Sequence, residues 1–136
     1  MSDEMACVEA GRNVFERDPF ARLLGMELVR VGCGTAVVRM TVDEQHRNGV
    51  GTVHGGVLFS LADVAFAVAG NSRGVLAVAL NVSITFVKGI RGGVIEAVAR
   101  EVSLGPRVAT YDVTVTDESG EPLALFHGLA YRKRQR

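Results

Sequence analysis

One stretch constrains this chain more than any other: Gly55-Gly56-Val57-Leu58-Phe59-Ser60-Leu61-Ala62-Asp63-Val64-Ala65-Phe66-Ala67-Val68-Ala69, apolar almost throughout and interrupted by a single carboxylate. A run apolar on nearly every side is a helix buried over most of its surface. It is too short to cross a bilayer, and Asp63 sits in its middle, so it reads as the core helix of a folded domain. An ionised carboxylate there carries a desolvation cost on the order of several kcal/mol unless something offsets it. Asp63 is therefore the first candidate for chemistry; the competing reading is a carboxylate satisfied by Ser60 or by loop amides, with no chemistry.

A helix buried all round needs a wrapping. Strand signals supply it on both sides. Thr35 to Val42 places Ala36, Val38, Met40 and Val42 on one face and Thr35, Val37, Arg39 and Thr41 on the other. After Gly70-Asn71-Ser72-Arg73-Gly74, the residues Leu80, Val82, Ile84 and Phe86 alternate with Asn81, Ser83, Thr85 and Val87. Val94 to Val102, then Tyr111 to Thr116, then Leu123 to Tyr131 follow, separated by Gly105-Pro106 and by Asp117-Glu118-Ser119-Gly120. Strands joined by tight turns pair antiparallel, so the last three form a meander. Before all this, Val8 to Glu16 and Asp18 to Leu24 read as one or two short helices ended by Gly25. The class is α+β: an antiparallel sheet curled around one long central helix. With 136 residues, 48% of them hydrophobic, residues 1–136 make a single domain.

Formal net charge is +0, so no overall field recruits nucleic acid or an anionic membrane. The basic end, Arg132-Lys133-Arg134-Gln135-Arg136, reads as a solvated tail, with a phosphate contact as the alternative. Cys7 and Cys33 lie far apart without CxxC or metal-ligand spacing, which disfavours a disulfide and fits a reducing cytoplasm. The start, Met1 to Met5, lacks the basic and apolar parts of a signal peptide. The expected location is cytoplasmic, with no membrane partner.

The residues just before the apolar run, Asn48-Gly49-Val50-Gly51-Thr52-Val53-His54, carry no Ser, Thr, Asp or Asn directly at the helix start. Thr52 is at best an imperfect cap, which leaves the first N–H groups free. Free amides at a helix N-terminus suit a polarised carbonyl or a developing oxyanion, and Gly55 and Gly56 let a substrate approach the backbone. A tight loop needing flexible backbone angles is the plain alternative. His54 either fixes the turn by hydrogen bonding or helps position a substrate carbonyl. Asp63 lies eight residues beyond Gly55, roughly 12 Å along one helix, too far to share a reacting carbonyl. If the two act together they come from different chains, so the hypothesis demands at least a dimer. His46, His54 and His127 lack metal-helix spacing, which disfavours zinc. No GxSxG elbow is present, and Gly49-Val50-Gly51 is no dinucleotide fingerprint.

Asn48 to Gly56, then Phe59-Ser60-Leu61-Ala62-Asp63, then Asn71-Ser72 and the Asn81 to Phe86 strand together resemble the hotdog-fold acyl-CoA thioesterases of the PaaI type, associated with phenylacetate degradation. The likeness spans nearly the whole chain. It implies a hotdog fold, with Asp63 as nucleophile or general base, the Gly55 amide binding the thioester oxygen, and Asn48 and His54 orienting the site. It also implies dimers that pair into tetramers. His127 stands where relatives often carry a basic or polar residue, which leaves its role open.

A thioester carbonyl is a good electrophile and a thiolate leaves without a strong acid, so one carboxylate and one oxyanion donor suffice, with no metal and no cofactor beyond the CoA of the substrate. Gly56, Ser60 and Ser83 are further candidate substrate contacts. Lys88, Arg91 and Arg107, near strand ends, are candidates for the CoA phosphates or ordinary solvated turn residues. The expected substrate is phenylacetyl-CoA or a ring-hydroxylated form, with another aromatic or medium-chain acyl-CoA as the neighbouring choice. A hotdog dehydratase and a non-catalytic acyl-CoA binding protein are the rivals.

Overall fold

The computed structural model describes residues 2–133; of the basic C-terminal run, residues 134–136 lie outside the described residues, as does Met1. Helix α1 spans Asp3–Glu16 and α2 spans Pro19–Leu23. Strand β1 covers Glu27–Gly32 and β2 covers Thr35–Val42, a 3-10 turn follows at Glu44–His46, and the long helix α3 is Gly55–Asn71. Strands β3 (Leu76–Phe86), β4 (Gly93–Leu104), β5 (Val108–Thr116) and β6 (Pro122–Lys133) complete the chain.

Helix α1 begins at Asp3, earlier than its apolar period announces. Ser2 caps it, its side chain accepting from the Met5 N–H, and Asp3 and Glu4 occupy the first turn, where carboxylates complement the positive end of the helix. Helix α2 is started by Asp18, which accepts from the Ala21 N–H at 3.0 Å, with Pro19 just inside.

The six strands form one antiparallel sheet in the order β1-β2-β4-β5-β6-β3. The β4-β5-β6 meander matches the reading of the turns. Strand β3 does not sit beside β2; α3 carries the chain across the width of the sheet and delivers β3 to the far edge, against β6. The helix is held in the curl by size matching. Ala36, Ala97, Ala99, Ala109, Ala124 and Ala130 are buried on the sheet, and such small side chains let strands close on α3, which buries Leu61, Ala62, Ala65, Val68 and Ala69 completely. Each Leu or Val so placed contributes about 1.5–3 kcal/mol of burial.

Two expectations are corrected. Cys7 and Cys33, read as unpaired, form a disulfide with their Cα atoms 5.1 Å apart. Their 26-residue separation carries no information about distance; α1 folds back along β1 and brings Cys7 to the β1–β2 turn. The alternation in β3 is real, but its apolar members are not all core: Leu80 and Phe86 are more than half exposed, as is Leu76. A bulge between Ala79 and Asn81 shifts the register, and β3 is an edge strand whose outer side meets no strand among the described residues.

Candidate active site

The loop that leads into α3 is held by short-range bonds that its sequence encodes. The Asn48 side chain accepts from the N–H groups of Val50 and Thr52, both at 3.1 Å, and donates to Thr52 Oγ1 at 2.9 Å. Gly51, at φ 86°, closes this turn in a conformation that a side chain would strain. His46 adds a second anchor that sequence reasoning missed. Its Nδ1 accepts from the Asp43 N–H at 2.8 Å and its carbonyl accepts from the His54 N–H at 2.8 Å. The His three residues after Asp43 was the available signal.

The helix does have a cap, and it is His54. Its Nδ1 accepts from the Gly56 N–H at 2.8 Å, which assigns the ring its turn-fixing role. Thr52 takes no part in capping, because its hydroxyl is engaged by Asn48. The expectation of several free amides is thereby narrowed: Gly56 is occupied, Val57 and Leu58 both donate to the His54 carbonyl, and the Gly55 N–H donates to no group among the described residues. The Phe86 ring lies against Gly55, so that a methyl group there would stand 3.3 Å from it.

Asp63 is part-buried in the middle of α3. It lines a cavity of about 240 Å³ with Phe66, Ala67 and Gly70 on one side and Ala77, Val78 and Ala79 of the edge strand on the other. Burial raises its pKa above the ordinary 3.8, and the charge of Asp18 pushes in the same direction. Ser60, read from the sequence as a group that could satisfy this carboxylate, instead donates its hydroxyl proton to the Gly56 carbonyl at 2.6 Å. A serine on a helix commonly bonds back to the carbonyl four residues earlier, and this withdraws it from Asp63.

The structure gathers Asn48, His54, Gly55 and Gly56 at the start of α3 and places Arg91 beside them, its guanidinium over Gly51 and its carbonyl accepting from Arg47 Nε at 2.6 Å. The other basic candidates are elsewhere. Lys88 is paired with Glu121 at 2.7 Å. Arg107 lies in the β4–β5 turn, where its carbonyl accepts from the Arg132 N–H. Ser83 faces away from α3, in register with His127, whose Nδ1 meets Asp112 Oδ1 at 2.7 Å on the outer face of the sheet. Within a protomer, then, one carboxylate and one free amide stand on the same helix, separated by two turns.

The six-stranded antiparallel sheet around one long helix is a hotdog fold, the architecture of a thioester-cleaving class of protein. Comparison with known proteins agrees: residues 50–124 match the thioesterase superfamily. The chain belongs to that superfamily and is a thioester hydrolase. It is 40% identical over 120 residues to the acyl-coenzyme A thioesterase PaaI of Escherichia coli K12, covering 88% of this chain and 86% of that one. The solved structure of E. coli PaaI, from the phenylacetic acid degradation operon, superposes with a TM-score of 0.94 at 36% identity, over 98% of this chain and 97% of that one. A point mutant of the phenylacetic acid degradation protein PaaI from Thermus thermophilus gives 0.82 at 44% identity, over 85% of this chain and 100% of that one.

Proposed function

We propose that this chain hydrolyses an acyl-CoA thioester, phenylacetyl-CoA or a ring-hydroxylated phenylacetyl-CoA, to the free acid and CoA, in a site shared by two copies. One observation carries the reading: Asp63 accepts no hydrogen bond from the described residues and lines a cavity whose far wall is the unpaired edge strand β3. A carboxylate that is desolvated and unpartnered is poised to attack or to take a proton. The open edge beside it is where a second copy would add its own strand, with Leu76, Val78 and Leu80 as the apolar seam. Across a two-fold axis the partner's helix start would then face Asp63, supplying the Gly55 N–H that the protomer's own geometry holds two turns away.

In this mechanism the thioester oxygen sits on the Gly55 N–H, whose hydrogen bond strengthens as the carbonyl becomes an oxyanion. Asp63 either attacks the carbonyl carbon or deprotonates a water that does; the CoA thiolate leaves. Asn48 and His54 hold the amide in place without touching the reacting atoms. No cofactor enters the reaction. Arg91, with Arg47, is the basic pair nearest the loop and the best placed to meet a CoA phosphate. Dimers pairing into a tetramer through the outer sheet face, where Val98 and Leu125 are exposed, complete the assembly. A CoA-thioester substrate would place the enzyme in the cytoplasm; among the described residues no helix is long and apolar enough to cross a membrane.

Thiol release from a panel of acyl-CoAs, phenylacetyl-CoA among them, tests the reading. Preferred turnover of aryl-acetyl thioesters is expected. Hydration of an enoyl thioester without thiol release would mark a hydratase instead, and binding without turnover a carrier; either would overturn it.

A further inference from the structure

The Cys7–Cys33 disulfide lies outside the site just described, at the opposite end of α3. Cys7 is buried at 7% exposure on α1, whereas Cys33, in the β1–β2 turn, is only half-buried. A cleft of about 230 Å³ is lined by both cysteines together with Asp3, Ala6, Ser72 and Arg73. The helix that the bond secures also packs Val8 and Phe15 against the core and sets Gly11 close against Val31 and Val68. Along its 14 residues α1 fully buries only Cys7 and Gly11. A second cavity, about 430 Å³, lies between it and β1, bounded by Val8, Arg12 and Phe15 on the helix and by Leu28 and Arg30 on the strand. A terminal helix that buries few of its residues belongs to the low-stability end of a fold, and the covalent bond adds a tether to these contacts.

We propose that this disulfide is a thiol-exchange site that takes a low-molecular-weight thiol on Cys33. The entering thiolate attacks the Sγ of Cys33, the more exposed of the two residues. A new S–S bond forms there, the Cys7–Cys33 bond breaks, and Cys7 departs as a thiolate that picks up the proton the incoming thiol lost. One thiol is consumed and one released, so the step needs no oxidant. Attack by a second small thiol on the mixed disulfide yields the small-molecule disulfide and leaves both protein cysteines reduced. Arg73 stands in the cleft wall, paired with Glu101 at 2.8 Å, and Asp3 lines the same cleft. Exchange untethers α1 while the sheet and α3 keep their own bonds. Peptide thiols such as glutathione and nucleotide thiols such as CoA share this chemistry. CoA as the source rests on the thioesterase reading, since it is that reaction's product; the exchange itself does not.

The test uses the full chain purified without reductant and incubated separately with glutathione, with CoA, and with desulfo-CoA as a control lacking the thiol. Intact mass and non-reducing peptide mapping should show one adduct on Cys33 with a thiol and none with desulfo-CoA. Hydrogen exchange across residues 3–16 should quicken while the sheet amides stay protected. The thermal midpoint should fall by roughly 10 °C, as expected for opening a loop of this length. The double variant Cys7→Ser, Cys33→Ser should form no adduct and should already show the fast exchange. An adduct with glutathione but not CoA upholds the site and removes CoA as its source; adduct formation in a protein that releases no thiol from acyl-CoA upholds it while the thioesterase reading fails. Two alkylatable thiols before any thiol is added, no adduct with either thiol, or an adduct that leaves α1 exchange unchanged would each overturn it.

Discussion

At the scale of single residues, the proposed mechanism ties the pH dependence of turnover to Asp63, which also contributes to that of folding. Its carboxyl titrates above the ordinary 3.8 because burial disfavours the charge and Asp18 repels it. The sign follows directly. An unfolded Asp63 ionises first, so between 3.8 and the raised native value the folded state binds more protons, and stability is lost as pH rises through that window. At neutral pH the cost is fully present, and Asp63→Asn should make the protein more resistant to urea there than the wild type, with the difference vanishing in acid. The same substitution should lower kcat by roughly two to four orders of magnitude while leaving the affinity for acyl-CoA nearly intact. The acid limb of the wild-type pH–rate profile should lie above the usual carboxylate range. An acid limb at the ordinary value would mean that Asp63 is not the group whose ionisation starts the reaction.

At the scale of elements, two close fits can be probed. The start of α3 depends on His54, whose ring satisfies the Gly56 amide. His54→Ala should cost about 1 kcal/mol of stability and slow turnover by loosening the Gly55 N–H, and His54→Asn, a competent cap, should restore most of the stability; equilibrium unfolding reads both. Strand β6 crosses the Phe66 ring at Gly128, where an added methyl would stand 2.8 Å from two ring carbons. Phe66 cannot step aside, because Tyr111 and Phe126 flank it with ring centroids 5.6 Å away. Gly128→Ala should therefore destabilise by about 1–3 kcal/mol, measured by chemical denaturation, even though alanine is otherwise the easiest replacement for glycine.

At the scale of the whole molecule the question is whether a working site needs two chains. Gly55 is the first residue of α3, a position that tolerates proline, and His54 before it already has the extended backbone that proline demands, φ −60° and ψ 134°. Gly55→Pro thus removes the free N–H with little backbone disturbance; its ring carbons must be accommodated by the partly exposed Phe86. Alone, neither Gly55→Pro nor Asp63→Asn should exceed about a hundredth of wild-type turnover. Unfolded and refolded together in equal amounts, they should recover about a quarter of wild-type activity, because half of the dimers are mixed and each mixed dimer has one intact site of two. No recovery from mixed dimers demonstrated by mass would place both groups in one chain and end the shared-site proposal.

Much of this was legible in the residues themselves. The period of Thr35 to Val42 located that strand to the residue, and the apolar run located α3 with Asp63 as its one charge, because helix and strand periods are local properties of a chain. The Asn48 turn is equally local, a side chain bonding its own neighbours, yet sequence reasoning missed it. What sequence could not reach is what depends on distance between remote segments. The capping role of His54 needed a rotamer, the diversion of Ser60 from Asp63 needed the competing Gly56 carbonyl, and the scattering of Ser83, Lys88, Arg91 and Arg107 over different surfaces needed the strand order. The Cys7–Cys33 bond is the sharpest case: the chain supplied two sulfurs, and only the return of α1 along β1 brought them within bonding reach, since loop closure is decided by the packing at its ends and leaves no mark on the residues between.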